Sequence, residues 1–589
     1  MRKEWRSALL VGEGNFSYSA ALCHSAEPGS LLVATCFQSE PEATGHEDTA
    51  RNIARLLQAG AEVHFQVDCT RLQENPALKG RLFDRIIFNF PHCGRKAGVR
   101  RNRELLAKFF LSCADTLAAD GSVTVALCSG QGGTAADLPM REWHNSWQVV
   151  ALAAEGGLIL TDVLPFDHTH CSGYTSTGYR SQEKSFRQQG ALTHVFSRSL
   201  PHKRADPGVL EAEVEGERRS FLVPGELADK IDRNFLEKDS KHPVNVVKEQ
   251  LLKELGRSLS VCELESECPL VARACPRSVA IDLEPEVGPD AVYFLRGAER
   301  LVRSERLDPG DSDRFPLPPG ASEETESYRL RPSLTGHVAG VSRRPDFRPG
   351  TLYALSGEVF RKRPVAPLSL PAFHQLVLVG VPRDGGLCPS LLAGAIQCLT
   401  SLRGEVTVEP GAAGKRWDVC VRDELRPDVP ELVVGSVTAD RLGVAPSVTA
   451  LNLDLLALWC YRIPDWRLLW TWDGRFLGGF VPPGPFSTFS LHPPCYTHDL
   501  SFWEPGPGPG PGRGWDELEF QALVRRASGE AVREVLLLER FLHAESGRAS
   551  RCYRLLYQSC DRALSRQRAL EIQLHLRQEL QTTFRVVLR

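Results

Sequence analysis

The stretch LLVGEGNFS, residues 9–17, decides the fold of the amino-terminal part of the chain. An apolar, strand-like run ends here in a glycine turn, and the residues that follow suit a helix. Because Gly12 and Gly14 have no side chains, the backbone can approach a bound cofactor closely, as it does after the first strand of doubly wound folds. An ordinary strand-to-helix turn carries the same glycines, so this motif alone leaves binding open.

Strand-like runs and helical patterns alternate outward from this turn. Residues 49–60 and 102–121 carry apolar residues at helical spacing, and each segment closes with a glycine. The predicted strands are residues 7–12, 30–36, 61–67, 84–90, 121–128, 157–164 and 192–198. This alternation predicts an α/β, Rossmann-like domain over residues 1–200, in which helices cover both faces of a mostly parallel sheet.

Two later segments add polar groups at the ends of predicted strands. Asp68 follows the third strand, where its carboxylate suits an adenine amine. FNFPHCG places Asn89, Pro91 and His92 at the end of the fourth strand, at the switch point where doubly wound sheets bind ligands. An Asn-x-Pro sequence there resembles the Asn-Pro-Pro-aromatic motif with which amino methyltransferases hold a planar nitrogen. The alternative interpretation is a rigid turn that ends the strand.

The segments VGEGNFSYS, LVATCFQSE, AEVHFQVDCT, DRIIFNFPHCG, NRELLAKFFLSCADTL and GYTSTGYRSQEKSF together resemble the 25S rRNA (uridine-N3) methyltransferase family. The resemblance runs from about residue 7 to residue 198. It implies that the domain binds S-adenosyl-L-methionine and methylates N3 of an RNA uridine that faces residues 89–92. It also implies that the cofactor is lined by Gly12, Glu13, Gly14 and Asn15.

The chemistry of uridine N3 gives His92 a candidate role. N3 must lose a proton before or during methylation, so a base within hydrogen-bond reach assists the reaction. We therefore take Asn89, Pro91 and His92 as the candidate catalytic residues, with His92 as the base. A hydrogen-bonded capping histidine is an equally direct interpretation of the same position.

The sequence also departs from the family at two places. Where an acidic residue usually binds the ribose hydroxyls, the chain has Cys36, Phe37 and Gln38, and Glu40 is the candidate substitute. In GYTSTGYRSQ, the expected proline, histidine and paired arginines are missing, and the polar residues present are Tyr174, Tyr179 and Arg180. Methyl transfer therefore depends on whether these residues make the missing contacts.

The middle of the chain follows a charged segment that predicts a linker over residues 201–227. RNFLEKDSKHPVNVVKE, LRPSLTGH, GEVFRKR, LPAFHQLVLV and ALNLDLLALWCYRIPDWRLLW resemble a phenylalanyl-tRNA synthetase catalytic domain of class II. The resemblance implies an α+β domain over residues 228–480, in which Arg361 corresponds to the arginine that holds the ATP α-phosphate. Leu455 replaces the arginine that clamps the γ-phosphate, so we expect a degenerate domain that no longer activates phenylalanine.

The last hundred residues predict the order strand, helix, strand, strand, helix, strand, which is that of an α+β ferredoxin-like unit. Residues 489–589 resemble the ferredoxin-fold anticodon-binding domain that ends phenylalanyl-tRNA synthetases. The resemblance places Asp499 and Arg554 in two of its motif strands. Together with Arg533 and Arg551 they are the candidate RNA-binding residues, and a solvated arginine face is the alternative.

Composition limits the partners and the compartment. The net charge of −3 means that any RNA contact depends on local basic patches. The cysteines form no CxxC pairs, which predicts reduced thiols and no metal site. No signal peptide or membrane span is predicted, which favours a cytoplasmic or nucleolar protein.

The sequence therefore predicts an S-adenosyl-L-methionine-dependent RNA methyltransferase with a carboxy-terminal tRNA-binding module, whose RNA partner is rRNA or tRNA. A non-catalytic RNA-binding or assembly factor is the alternative, and residual phenylalanyl-tRNA synthetase activity is disfavoured. The oligomeric state is left open.

Overall fold

The computed structural model describes residues 5–45, 47–94, 98–166, 173–177, 188–202, 205–264, 268–274, 287–297, 327–381, 388–400, 404–411, 416–424, 431–438, 447–480, 484–505, 515–545 and 547–589. The chain separates into two compact units. The first unit contains Met1–His202, Thr488–Tyr496 and Gln558–Glu571, and the second contains Lys203–Ser487, Thr497–Tyr557 and Ile572–Arg589.

A seven-stranded sheet forms the centre of the first unit. Its strands are β1 (Ser7–Leu10), β2 (Leu31–Thr35), β3 (Glu62–His64), β4 (Phe83–Asn89), β5 (Leu117–Leu127), β6 (Leu158–Pro165) and β7 (Leu192–Arg198). They lie in the order β3-β2-β1-β4-β5-β7-β6, with β7 antiparallel to both of its neighbours and the remaining pairs parallel. Every predicted strand is present, so the α/β Rossmann-like prediction is confirmed.

Helices cover both faces of this sheet. They are α1 (Ser17–His24), α2 (Glu40–Thr44), α3 (Glu47–Gln58), α4 (Val99–Ala114) and α5 (Val149–Glu155). Phe109 and Phe110 of α4 pack on one face, and Ile53 and Leu56 of α3 pack on the other. The helix predicted to end at Gly121 ends seven residues earlier instead. Gly121 belongs to β5, where a Cβ would lie 3.0 Å from the Phe83 carbonyl, so the glycine permits close strand pairing.

The second unit contains a second seven-stranded sheet and a five-stranded sheet. Its strands are β8 (Gly208–Val214), β9 (Glu217–Val223), β10 (Ser260–Glu263), β11 (Val271–Arg273), β12 (Phe294–Gly297), β13 (Tyr328–Leu330), β14 (Thr351–Phe360), β15 (Ala372–Gly380), β16 (Gly404–Pro410), β17 (Arg416–Asp423), β18 (Leu432–Thr438) and β19 (Ser447–Asn452). The sheet orders are β10-β14-β15-β19-β18-β17-β16 and β11-β13-β12-β9-β8. Its helices are α6 (Gly225–Ala228), α7 (Pro243–Leu255), α8 (Val338–Ser342), α9 (Pro389–Gln397), α10 (Leu453–Cys460) and α11 (Arg475–Gly478).

The segment predicted as a linker, residues 201–227, contains the β8–β9 hairpin. Glu215 and Gly216 form its turn with φ of 56° and 83°, which suits a tight hairpin connection. Leu210 and Phe221 are buried, while charged residues occupy many exposed positions between them. The linker was predicted from the charged segment at residues 199–208, which precedes the hairpin, and the charged positions of the hairpin itself hide its apolar alternation.

The end of the chain has the predicted order of strands and helices. The elements are β20 (Tyr496–Trp503), α12 (Glu517–Ser528), β21 (Val532–Leu542), β22 (Ala549–Tyr557), α13 (Arg566–Phe584) and β23 (Val587–Leu588). The strands form a four-stranded sheet in the order β21-β22-β20-β23. The Pro-Gly repeat at 506–511 lies outside the described residues.

Candidate functional site

A cavity of about 590 Å³ opens at the carboxyl edge of the first sheet. Since β1 and β4 are parallel neighbours, the turn after β1 and the segment after β4 meet at this edge. Among the predicted site residues, the cavity is lined by Gly12, Glu13, Gly14, Asn15, Asp68, Asn89 and His92. Pro91 is buried and is not part of the lining. Three segments that are distant in sequence therefore meet in one cavity.

The two glycines of the turn are required by close contacts. Gly12 has φ of +67°, and a Cβ there would lie 2.5 Å from Phe88 Cε2. A Cβ on Gly14 would overlap Thr177 Oγ1. The turn thus presents backbone, without side chains, to the cavity.

Asn15 fixes the shape of the turn. Its Oδ1 accepts hydrogen bonds from the Ser17 amide at 3.1 Å and the Ser17 hydroxyl at 2.7 Å. Its Nδ2 donates to Thr175 Oγ1 at 2.7 Å. Asn15 therefore joins the turn to residues 173–177, of which Tyr174, Thr175 and Thr177 also line the cavity.

Two carboxylates stand on the cavity wall in different environments. Glu13 accepts a hydrogen bond from the Ser19 amide at 3.2 Å, but burial has the larger effect and raises the pKa of Glu13 to about 7. Asp68 Oδ1 accepts from the Thr70 amide at 2.9 Å and from the Thr70 hydroxyl at 2.7 Å. Asp68 Oδ2 remains for a ligand, because no such bond to it exists among the described residues.

Asn89 carries an unsatisfied donor into the cavity wall. Its Nδ2 is buried and has no hydrogen-bond partner in the described part of the chain. An unpaired buried donor costs about 1–3 kcal/mol of stability. The next residue, Phe90, has φ of 51°, an uncommon conformation for an aromatic residue. A strained turn thus follows a cavity-lining side chain whose amide nitrogen is unpaired among the described residues and turned away from solvent.

His92 has a defined proton arrangement. Its Nδ1 accepts a hydrogen bond from the Gly94 amide at 2.9 Å, and burial lowers the pKa of the ring. A neutral ring that accepts at Nδ1 carries its proton on Nε2. In this arrangement Nε2 donates, whereas the predicted base would have to accept a proton.

The sequence did not identify one wall of the cavity. Helix α4 contributes Arg101, Glu104, Leu105 and Lys108, whose spacing places them on one helical stripe. Phe37 and Gln38 also line the cavity, whereas the proposed substitute Glu40 does not. Tyr179 and Arg180 lie outside the described residues.

In the synthetase-like part of the second unit, buried polar side chains form hydrogen bonds and ion pairs with other groups of the protein. Arg361 is buried, and its Nε donates to the Pro332 carbonyl at 2.7 Å. His374 Nδ1 and Asp454 Oδ2 lie 3.0 Å apart, and Asp454 Oδ1 accepts from Trp470 Nε1 at 3.1 Å. The rings of His374 and Trp470 stack with centroids 5.3 Å apart. His374, Asp454 and Trp470 thus form a buried, internally paired cluster.

The candidate RNA-binding residues of the last segment differ in availability. Arg554 and Asp499 form a two-bond ion pair on the surface, with both distances 2.9 Å. Arg551 is only 13% exposed, bonds Glu504 at 2.7 Å and lies over the Trp515 ring. Arg533 is partly exposed. Arg551 therefore stabilises the domain interior, and Arg554 reaches a ligand only if its pair with Asp499 opens.

Among the residues that the structure describes, no group of three or more His, Cys, Asp or Glu side chains could hold a metal ion. Cys262, Cys268 and Cys275 lie close together in sequence at spacings that fit no common zinc site, and Cys275 lies outside that part of the chain. Among the described helices, none combines the length and apolar character that crossing a bilayer requires.

Comparison with known proteins agrees with these observations. The family model described as rRNA (uridine-N3-)-methyltransferase BTM5-like matches residues 9–178. The chloroplastic/mitochondrial phenylalanine–tRNA ligase of Arabidopsis thaliana is 27% identical over 284 residues, covering 44% of this chain and 63% of its own. The solved TehB-like SAM-dependent methyltransferase of Corynebacterium glutamicum covers 34% of this chain and 83% of its own, but 14% identity and a TM-score of 0.20 support no inference.

Two relatives match over nearly the full chain. Ferredoxin-fold anticodon-binding domain-containing protein 1 of Homo sapiens is 41% identical over 631 residues, covering 99% of this chain and 100% of its own. Its Mus musculus homolog is 40% identical and covers 99% of both chains. The protein therefore belongs to the family of ferredoxin-fold anticodon-binding domain-containing protein 1.

Proposed function

We propose that residues 1–200 form an S-adenosyl-L-methionine-dependent methyltransferase that acts on N3 of a uridine in RNA. Residues 489–589 would bind the RNA, either rRNA or tRNA, and residues 228–480 would connect the two without aminoacylation. The single observation that carries the proposal is the cavity that joins the glycine turn, Asp68 and the Asn89–His92 segment. Tethering raises the local concentration of a bound RNA at this cavity.

The residues present fit the cofactor. A volume of about 590 Å³ is within the range of small-molecule sites. The turn of residues 12–15 would hold the methionyl and ribose groups, and Asp68 would accept from the adenine amine. When bound, S-adenosyl-L-methionine supplies a methyl group on a good leaving group, so the protein has mainly to align the acceptor.

Asn89 and His92 suit a uracil ring that presents N3. The carbonyls O2 and O4 flank N3, and the negative charge left when N3 loses its proton spreads onto both oxygens. In our proposal, the Asn89 amide turns toward the cavity so that Nδ2 donates to one carbonyl, and His92 Nε2 donates to the other. Preorganised donors lower the cost of forming such an anion. His92 would then favour proton loss by stabilising the product rather than by accepting the proton.

The proposal is tested by methyl transfer from labelled S-adenosyl-L-methionine to uridine-containing RNA. We expect His92→Gln, which keeps a donor, to retain more activity than His92→Ala. The base role is supported instead if both variants are equally inactive and the wild-type rate decreases as the pH drops below the pKa of a histidine. Unchanged rates in both variants would remove His92 from the mechanism.

A non-catalytic RNA-binding factor is the second candidate. It is favoured by Gln38, which lines the cavity where the family has an acidic residue for the ribose hydroxyls. Calorimetry with S-adenosyl-L-methionine separates the candidates. Absence of binding at millimolar cofactor would reject the methyltransferase and leave the binding factor.

We expect cofactor affinity to depend on pH through Glu13. Its pKa is raised to about 7, so it is mostly neutral at pH 6 and mostly ionised at pH 8. If the carboxylate binds the cationic cofactor, the wild type binds roughly tenfold more weakly at pH 6 than at pH 8 and releases a proton on binding. Calorimetry at both pH values measures the change.

Glu13→Gln is the control for this experiment, because it keeps the shape of the side chain and removes its titration. We expect this variant to bind the cofactor more weakly than the wild type. Any pH dependence that remains would come from titration of the cofactor itself. Equal pH dependence in both proteins would contradict a role for Glu13.

A further inference from the structure

We propose that the loop of residues 137–147 and the first turns of α4 bind the single-stranded RNA that flanks the target nucleotide. This inference rests on the proposed function and assigns the docking surface of its substrate. We call it the flank surface, defined by Leu138, Met140 and Trp143 of the loop and by Arg100 and Arg101 of α4.

The loop exposes apolar side chains at the edge of the sheet where the cavity opens. It follows β5, which lies parallel to and beside β4. Leu138 is 82% exposed, Met140 71% and Trp143 49%. Apolar groups clustered on a surface are typical of an interaction site. Their position at the carboxyl edge places this site next to the candidate catalytic residues.

The loop is held in place by α4. Arg103 Nη2 donates to the Trp143 carbonyl at 3.3 Å and to the His144 carbonyl at 2.8 Å, and Arg103 Nε donates to the Ser146 carbonyl at 2.9 Å. The buried Trp147 places its ring 6.4 Å from the ring of His92. Trp143 is therefore presented by a fixed backbone, which reduces the entropy lost on binding.

Positive charge connects this loop to the cavity. Arg101 lines the cavity, while Arg103 contacts the loop. At about 100° per residue, Arg100 lies between these two directions around the helix. Arg100 and Arg101 are exposed, and within the described ranges neither lies within 4 Å of a carboxylate oxygen, although, after the Lys108 hydrogen bond, their charges help to lower the pKa of Glu104. Lys108, also at the cavity, is instead paired with Glu104 at 2.8 Å.

This combination favours RNA over a protein partner. Unpaired arginines can neutralise phosphates, and an exposed tryptophan beside them can stack a base. A nucleotide in the cavity would leave its neighbours on the chain at the cavity mouth. Arg101 lines the cavity, and Arg103 on the same helix holds the loop that carries Trp143, so the flank surface adjoins the cavity.

Binding of a dye-labelled, 12-nucleotide oligouridine to the full-length protein, without cofactor, tests the surface by fluorescence anisotropy. Stacking on an aromatic residue is worth about 1–3 kcal/mol, so Trp143→Ala should weaken binding at least about fivefold. Trp143→Phe should stay close to the wild type. The double variant Arg100→Gln/Arg101→Gln should lower the slope of log affinity against log salt by about 1.4, from two phosphate contacts.

Trp472→Ala is the matched control, since Trp472 is 53% exposed and belongs to the second unit. We expect it to bind oligouridine like the wild type. Because the end of the chain is also proposed to bind RNA, photo-crosslinking with 4-thiouridine in the oligonucleotide provides a local readout. Crosslinks within residues 137–147 that disappear in Trp143→Ala support the proposal.

Unchanged affinity together with unchanged crosslinks in Trp143→Ala would overturn the flank surface. Failure of the wild-type protein to bind oligouridine would overturn it as well. That outcome is expected if the surface binds a protein partner. Cofactor calorimetry is run in parallel. If the wild type does not bind the cofactor, the methyltransferase proposal is rejected, but the oligouridine binding can still be interpreted. If the wild type binds the cofactor and shows no crosslinks within residues 137–147, only the flank surface is rejected.

Discussion

Asn89→Ala is expected to lower methyl transfer about 10²–10³-fold while the melting temperature stays unchanged or rises. The loss follows from removing the donor that we propose stabilises charge on the substrate. The stability effect has the opposite sign because Asn89 Nδ2 is buried without a partner in the described part of the chain. Removing such a group relieves its desolvation cost. Single-turnover rates and thermal unfolding measure the two effects.

Thr124→Val is the matched control for this prediction. Thr124 lies on β5 next to β4, and its Oγ1 is also buried and unsatisfied among the described residues, but it does not line the cavity. We expect higher stability and an unchanged rate. If Asn89→Ala loses stability and activity together while Thr124→Val behaves as expected, Asn89 is structural and the assignment fails.

Asp454→Asn is expected to destabilise the second unit by about 3–5 kcal/mol, the usual cost of breaking a buried ion pair. Asp454 is fully buried and accepts from His374 and Trp470. Burial alone would lower the pKa of His374, but the Asp454 and Glu358 carboxylates outweigh it and raise the pKa to about 9. The protonated histidine therefore contributes to stability.

The sign of the pH dependence follows from this raised pKa. The contribution is fully present below about pH 6.5, the unfolded value, and is lost as pH rises toward 9. Between those limits we expect a loss of about 3 kcal/mol in the wild type and little in Asp454→Asn. Urea unfolding followed by tryptophan fluorescence at pH 6.5 and 9.5 measures it.

Asp465→Asn provides the control for pH. Asp465 is also buried, but it pairs with Arg467 at 2.7 Å, and arginine does not titrate in this range. The variant should lose stability equally at both pH values. Wild-type stability that is the same at pH 6.5 and 9.5 would contradict the His374 assignment.

Much of the fold and of the cavity could be predicted from local sequence. Gly12 and Gly14 follow a strand directly, Asn89 ends its parallel neighbour and His92 follows it, so strand order alone brings them together. The domain boundaries at residues 200, 228 and 489 stay predictions. The hairpin within residues 201–227 was missed because its charged positions obscured the alternation of apolar residues.

The hydrogen-bond and ion-pair partners of individual side chains could not be predicted from the sequence. Arg551 and Arg554 lie three residues apart on one strand, yet Arg551 is enclosed by Glu504 and Trp515, while Arg554 remains on the surface. Likewise, no motif signals that the Gly94 amide occupies His92 Nδ1. Such roles depend on groups that only the folded chain brings near, so residue type and spacing could not assign them.

Arg525 has a consequence for dividing this protein into fragments. It is buried, donates to the carbonyls of Pro364 and Ser369 at 2.8 and 3.0 Å, and lies over the Trp466 ring. A carboxy-terminal fragment starting at residue 489 would remove both carbonyl acceptors, leave this guanidinium with Glu530 at 3.3 Å, and expose the surface around it. Recombinant work on the RNA-binding segment is therefore better served by pieces that keep residues 364–466 attached than by a cut at the apparent family boundary.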